Sequence, residues 1–460
     1  MILKSVAEQA LNAALKTGGD FAEIYCEDRR SGAMGLVDGH VEAASTVRRH
    51  GAGIRVFRGL NSVYVHTNDT SASGLVAAAR KAADAVSGDA RVGDIRLVRS
   101  LPRNVHPIKE MPMDVAGTRK AKLLRDCDLA AKAVSGEITQ VRANLTHWDS
   151  DVLIANSEGL FTGDTRVYTR LYVAAVASRD GDSQSGREAP GAMMGYELFT
   201  DRVDAAHTAR IAAERAVTML HAEPCPAGVM PVVIDSGFGG VIFHEACGHS
   251  LEAAAVAFGN SEFAGKLGQR IASPIVTAVD DGTLPGEWGS LNIDDEGLPT
   301  TRLVLIEDGI LKNYMIDRLN ARRMNMPPTG SGRRQDYTFA PTSRMRNTYI
   351  AAGRDDEAEI IASCPDGLYA KSMGGGSVNP VTGEFNFAVD EGYLIRGGKV
   401  DRPVRGASLI GRGGEILMKI DRVGKDLRLA QGMCGASSGS VPVNVGQPMI
   451  RVTDITVGGR

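Results

Sequence analysis

The chain reads as an α+β protein. An N-terminal α/β domain with antiparallel strands and helices is expected over residues 1–225. A β-rich C-terminal domain carrying one metal-binding helix is expected over residues 226–460. Three observations predict this. Glycine accounts for 54 of 460 residues and aromatics for only 5%, against a usual glycine share of about 7%, which favours tight turns and sheet over a helical bundle. Helical and strand-like segments alternate up to Leu220, whereas from Met230 onward the strands are short and broken by Gly and Pro. Between them, Glu223-Pro224-Cys225-Pro226-Ala227-Gly228 is the clearest boundary signal in the chain.

In chain order, Val6 to Leu15 has apolar residues at helical spacing. Phe21 to Cys26, Gly32 to Val37, Val41 to Val47, Gly51 to Val56 and Ser62 to His66 read as strands, the last two turning through Arg58-Gly59-Leu60-Asn61. Gly51-Ala52-Gly53 lacks the third glycine and following helix of a dinucleotide loop and is expected in a hairpin strand. Ser71 to Val86 is an alanine-rich helix that Thr70 or Ser71 would cap. Residues 88–112, with Pro102, Pro107 and Pro112, form a connector, and Val115 to Val134 is a helix. Ile138 to Leu145, Val152 to Asn156, Leu160 to Thr162 and Val167 to Ala177 are strands of a meander; 179–195 is expected to be an exposed loop, and Arg202 to Leu220 a helix. Beyond the boundary, Arg302 to Ile306 and Ile310 to Ile316 form a hairpin around Glu307-Asp308-Gly309. Phe385 to Val389 and Glu391 to Arg396 are read as a strand pair, and Ser440 to Val445 and Met449 to Thr456 as the last strands.

Composition narrows the class. A formal net charge of -3 gives no global reason to bind nucleic acid or acidic lipid. No run of about 18 apolar residues occurs, and the first residues lack the apolar stretch of a secretory signal. The six cysteines are scattered rather than paired in a disulfide pattern. A cytoplasmic protein is expected.

The chemistry concentrates in Phe243-His244-Glu245-Ala246-Cys247-Gly248-His249-Ser250-Leu251-Glu252. A helical His-Glu with a second His one turn on binds zinc through the His pair and uses the Glu as base. Here the second His comes five residues on. In a regular α-helix, i and i+5 lie about 140° apart, against about 40° for i and i+4. Both imidazoles reach one ion only if the helix carries an extra residue, as in a π-bulge, and Gly248 is where that distortion is easiest. Met230 to Asp235 reads as a strand and Ser236 to Gly240 as a tight turn, so the motif sits on a strand–turn–helix platform.

All nine histidines lie at or before position 249, so a third ligand from the second half must be Cys, Asp or Glu. Glu252, Cys247, Cys364 and Cys434 are the alternatives; Cys434 lies among glycines that let the backbone turn sharply. Arg318, Arg322, Arg323, Arg333, Arg334, Arg344 and Arg346 crowd a span in which Asp336 is the acid. A solvated loop, or anion-pairing groups beside a substrate channel, is expected there rather than a nucleic-acid patch. No P-loop and no nucleophile elbow is present.

Several motifs in order make the chain resemble the TldD/PmbA family of metallopeptidases, once called modulators of DNA gyrase. They are His244-Glu245 with His249, the PTSRMRNT segment from Pro341 to Thr348, Gly374 to Gly376, Glu391 to Ile395, Pro403 to Gly411, Cys434-Gly435, and Ser440 to Val443 with Val445 to Pro448. The resemblance covers essentially the whole chain and is to the members that keep the His-Glu motif. It implies zinc held by His244, His249 and Cys434, with Glu245 as the base. It implies a dimer, homodimeric or with a non-catalytic family member, around an enclosed cavity that admits extended peptides. Arg346 stands where the family more often has a smaller residue. The expected function is a zinc-dependent peptidase acting on unfolded or short extended peptides, with no membrane partner; the alternative is a non-catalytic, zinc-containing peptide-binding or regulatory dimer.

Overall fold

The computed structural model describes residues 2–86, 88, 94–379 and 382–459; part of the 88–112 connector therefore lies outside the described residues. The N-terminal half is built on one sheet. Its parts are α1 (Lys4–Ala14), β1 (Phe21–Val37), β2 (His40–Arg58), β3 (Asn61–Thr67), α2 (Ala72–Asp84), α3 (Gly117–Lys132), β4 (Ile138–Asn156), β5 (Leu160–Arg179), β6 (Asp182–Glu188) and α4 (Ala205–Leu220). The strand order is β3-β2-β1-β4-β5, with β6 on β5, and these pairings are all antiparallel. Helix α2 starts as expected from Ser71, whose side chain accepts from the Gly74 N–H at 3.1 Å.

Strands expected as separate are continuous. The charged stretch Glu27 to Ser31 resembles a break in the sequence but lies within β1. Its charges are met across the sheet: Arg48 binds Asp28 at 2.9 and 2.7 Å, and Arg30 binds Asp149 at 2.9 Å. Opposite charges on facing strand residues stabilise the ladder that isolated charges would weaken. The expected exposed loop at 179–195 is a further correction, since it forms β6 and a short strand at Gly191–Ala192. Gly186 permits this: a Cβ there would stand 2.1 Å from the Ala212 carbonyl of α4.

Two apolar clusters fix the helices. Ala7, Leu11 and Ala14 of α1 and Leu75, Ala79 and Ala82 of α2 pack on Ala22, Ile24, Ala52 and Ile54. Leu124 and Ala131 of α3 and Ala209, Ala212 and Ala216 of α4 pack on Val141, Ala143, Leu171 and Val173. Strand alternation then turns Glu23, Tyr25 and Glu27 to the other side, toward the C-terminal half.

That half contains β7 (Gly228–Ile234), β8 (Ala278–Asp281), β9 (Arg302–Glu307), β10 (Asn347–Ile350), β11 (Asp366–Val378), β12 (Glu384–Arg396), β13 (Ser408–Arg412), β14 (Arg428–Ala436), β15 (Gly439–Gln447) and β16 (Ile450–Gly458). Strands β11, β7, β16, β13 and β12 pair in that order, and β11 also pairs with β12, which closes the ring. A second sheet runs Ile310–Leu311, β9, β8, β10, β15, β14, so β14 is its terminal strand. The expected pair Phe385–Val389 and Glu391–Arg396 is one strand, β12, which pairs with β11 instead. The last two strands go to different sheets. The main core, with Phe243, Phe263, Tyr314 and Phe387, lies among these layers.

The arginine span is neither solvated nor arrayed for nucleic acid. Arg333, Arg334, Arg344 and Arg346 are buried, and most of the span joins segments of the fold. Arg334 reaches Glu23 of β1 at 2.8 Å, and Arg55 of β2 reaches Glu23 at 3.0 Å and Glu296 at 2.5 Å. Arg166 of β5 binds Asp295 at 2.5 Å. Arg346 binds Asp280 at 2.7 Å, both fully buried, which accounts for a large cation at this position. Among the described residues no helix is long and apolar enough to cross a membrane.

Breaking a buried pair leaves one charge uncompensated. Arg346→Met should therefore lower unfolding stability by about 3–5 kcal/mol, and adding Asp280→Asn should restore part of it; urea denaturation of the single and double variants measures both.

Candidate metal centre

Strand β7 delivers the chain to a 3-10 turn at Gly237–Gly240, and helix Val241–Phe243 follows. His244–Gly248 is then a π-helical turn: the His249 N–H donates to the His244 carbonyl, five residues back. This is the extra residue the His-to-His spacing demands. With it the two rings stand with centroids 5.2 Å apart and planes at 84°. Gly248 has ordinary helical torsions, φ -56° and ψ -51°. Its lack of a side chain serves packing instead, because a Cβ there would stand 2.2 Å from the Met345 sulfur.

The third group arrives from far along the chain. On β14, Cys434 Sγ lies 3.4 Å from His244 Nε2 and 3.3 Å from His249 Nε2. The three donor atoms fall within 4.8 Å of one another, the one such His/Cys/Asp/Glu cluster among the described residues. Bonds of about 2.0–2.1 Å to nitrogen and about 2.3 Å to sulfur, set at a tetrahedral angle, would separate N and S by about 3.5 Å. The donor set therefore fits one tetrahedral ion. Cys434 is held in place by its carbonyl, which accepts from Arg344 Nη2.

Of the four alternatives for the third position, the structure brings Cys434 to the imidazoles. Glu252 lies behind His249 rather than in front of it: its Oε2 accepts from His249 Nδ1 at 3.0 Å, which leaves Nε2 facing the cluster. Its Oε1 accepts from the Met345 N–H at 3.2 Å, and Arg344 Nε is 3.8 Å away. Cys247 is fully buried in the main core, and Cys364 packs with Val233, Ile360, Ile395 and Met449. All six cysteines are free and buried. Glu245 stands on the more open side, its side chain 27% exposed and its Oε2 3.7 Å from His249 Nε2.

The electrostatics favour a charged thiol. Burial raises the Cys434 pKa, but the His244 charge and hydrogen bonds from both imidazoles outweigh it and bring the thiol down to about 5. Burial disfavours the imidazolium of His249, yet the Glu252 carboxylate and Cys434 raise its pKa well above the ordinary value. Burial likewise opposes ionisation of Glu252, and the His249 charge overcomes it. Cys247, buried without such partners, is raised instead and stays a neutral thiol.

Sequence reasoning missed the positioning work of Arg344 and Met345. Their signal lay in the Pro341 to Thr348 segment, which stood out as a motif without a role. Here Arg344 and Met345, in the link between the strands Thr342–Ser343 and Asn347–Ile350, tie the Cys434 carbonyl to the Glu252 carboxylate.

Residues 22–86, 112–220 and 227–459 match, in turn, domain 1, the central domain and the C-terminal domain of the PmbA/TldA metallopeptidases. A metalloprotease TldD homolog of Haemophilus influenzae is 38% identical over 452 residues, covering 96% of this chain and 93% of that protein. A metalloprotease of Methanothermobacter thermautotrophicus is 33% identical over 443 residues, covering 96% of each. A zinc metalloprotease TldD homolog of Saccharolobus solfataricus is 31% identical over 286 residues, 62% of this chain and 63% of that one. The crystal structure of TldE from Thermococcus kodakarensis superposes with a TM-score of 0.74 at 19% identity, covering 96% of this chain and 97% of that one, and so shares the fold.

In the metal-free chain, thiolate absorbance near 240 nm should rise with a midpoint near pH 5 instead of the usual value of about 8.5, and this step should vanish in Cys434→Ala. Because the folded pKa lies below the unfolded one, this group's contribution to stability is complete above the unfolded value and is lost as pH falls through about 5.

Proposed function

The chain belongs to the PmbA/TldD metallopeptidase family, and from that premise we propose that it is a zinc-dependent peptidase for unfolded or short extended peptides. One observation carries this reading: two imidazole nitrogens and the Cys434 sulfur converge on one point, with Glu245 on the exposed side of it. His244, His249 and Cys434 would hold the ion. Borderline-soft N and S donors, tetrahedrally arranged, suit zinc, and three protein ligands leave the fourth position open. Bound zinc supplies Lewis acidity and lowers the pKa of a coordinated water toward about 7.

The chain's own groups supply the rest. Glu245 would take the water proton on its carboxylate and return it to the leaving amine. Glu252, fixed by Arg344 and the Met345 N–H, would keep His249 in the tautomer that presents Nε2. The Cys434 thiolate would offset part of the ion's charge, so the bound water is less acidic than over three neutral ligands. Ligand protons would leave on metal binding, which makes affinity fall with acid.

Substrate form follows from β14. It is the terminal strand of its sheet, and a groove of about 660 Å³ runs along Leu429 to Met433 beside Phe238 and Met373. An extended peptide would add to this edge through main-chain hydrogen bonds, which ask little of sequence. A dimer, with a second copy or with a non-catalytic relative, would enclose this groove.

Glu245→Gln should keep one zinc per chain yet lose about 10²–10⁴ in turnover, roughly 3–5 kcal/mol of barrier, while Cys434→Ala should lose the zinc itself. Metal analysis beside peptide-digest mass spectrometry tests both, and undiminished hydrolysis by Glu245→Gln would remove it as the base.

Unstructured peptides should be cleaved with loose sequence preference. A disulfide-stabilised native protein should survive the same incubation, and its efficient digestion would defeat the enclosed-groove reading.

A further inference from the structure

Behind the hairpin that carries Cys434 lies a second space. Strand alternation puts Cys434 and Val441 on the metal side of the β14–β15 pair. Met433 and Pro442 face the opposite way and line a cavity of about 300 Å³ against the N-terminal sheet. Met433 also lines the groove along the edge of β14. The two spaces therefore share a wall one residue from the thiol.

The charges in this cavity do not balance locally. Three of its arginines are neutralised: Arg49 by Asp336, Arg166 by Asp295, and Arg334 by Glu23. Arg333 is not. Arg333 is 2% exposed, and among the described residues its one side-chain hydrogen bond runs from Nη1 to the Met345 carbonyl at 2.7 Å, with no carboxylate in ion-pair contact. Glu27, in the same lining, is engaged elsewhere, accepting from Ser150 Oγ at 3.1 Å and from the Tyr337 N–H at 3.2 Å. A buried guanidinium without an anion is costly, and a fork with unused donors is shaped for a carboxylate. Part of the remaining wall is aromatic. Trp148 stacks on Tyr168 with centroids 4.7 Å apart, and Arg29 lies 4.7 Å over the Trp148 ring.

We propose that this cavity is a subsite for a peptide carboxylate, from an acidic side chain or a chain terminus, with Arg333 as its partner and Trp148 and Tyr168 as its walls. The proposal rests on the peptidase reading above. A peptide added to the edge of β14 turns alternate side chains to the two faces of the sheet. When one position faces the metal, its neighbour faces the side on which Met433 opens to the cavity. The site thus adds a charge preference at one position to a binding mode that otherwise reads only backbone.

The test uses the full-length, zinc-loaded Glu245→Gln chain, so that binding is read without turnover. Fluorescence anisotropy is measured with labelled, alanine-rich decapeptide amides in which one Glu is moved through the sequence, each paired with its Gln counterpart. A further peptide carries a free C-terminal carboxylate. At one position Glu should bind about 10–100-fold more tightly than Gln, as expected of a hydrogen-bonded charge. That preference should fall below about threefold in Arg333→Met, while the affinity of the Gln peptides moves less than threefold. Gain only from the free carboxylate would identify the chain terminus as the source. Arg333→Lys, which keeps charge but not the fork, should lie between, and it decides the matter if Arg333→Met fails to fold. Equal binding of Glu, Gln and free-acid peptides to the parent would overturn the subsite and leave the peptidase reading intact, as would a preference that survives both substitutions. If no peptide binds at all, the peptidase reading falls and the subsite with it.

Discussion

The contact between the Cys434 thiol and two imidazoles organises the rest of the structure. It joins β14 to a helix 190 residues earlier in the chain, and neither end can be placed alone. The helix must gain a residue so that His249 turns toward His244. The strand, the last of its sheet, must turn one face so that Cys434 meets the imidazoles. A thiolate buried without polar partners would be expensive; the two imidazoles meet the Cys434 sulfur before any ion does.

A second set of buried charges holds the platform still. Glu23 and Arg55 from the N-terminal sheet meet Glu296 and Arg334 from the C-terminal half with almost no exposure. Desolvating such groups costs as much as their attraction returns, so their value lies in register rather than net stability. Tyr25, Val152, Ile154, Ile293 and Tyr337 pack beside them and provide the apolar burial. One consequence is positional. Trp288 donates from Nε1 to the Gly432 carbonyl at 2.8 Å, and Arg170 of β5 donates to the Gln431 carbonyl at 3.1 Å. The strand bearing Cys434 is thus held by both halves of the molecule.

Arg344 ties the strand that carries Cys434 to the support of His249. Its guanidinium touches the Cys434 carbonyl and faces Glu252, which in turn fixes His249. Met345, the next residue, fills the space that Gly248 leaves. A change at either residue would be felt at both histidines and at the thiol without touching any of the three donor atoms.

The sequence alone determined the things that local chemistry controls. The His-to-His spacing demanded a π-turn because a regular helix would point the rings apart, and the structure has one. The Gly- and Pro-rich texture after Met230 announced a β-rich half, although its strands at Asp366–Val378 and Glu384–Arg396 run 13 residues rather than the short lengths expected, and Ser71 announced the start of a helix. Tertiary structure decided what depends on partners distant in sequence. Glu27 to Ser31 became strand because Arg48 and Asp149 stood opposite its charges. The arginine span turned inward because Glu23 and Asp280 awaited it. Glu252 went behind His249 instead of to the donor cluster because Arg344 and the Met345 N–H held its other oxygen. Side-chain type and spacing act within a few residues, whereas the pairing of a charge or a thiol is a property of the folded neighbourhood, which spacing does not encode.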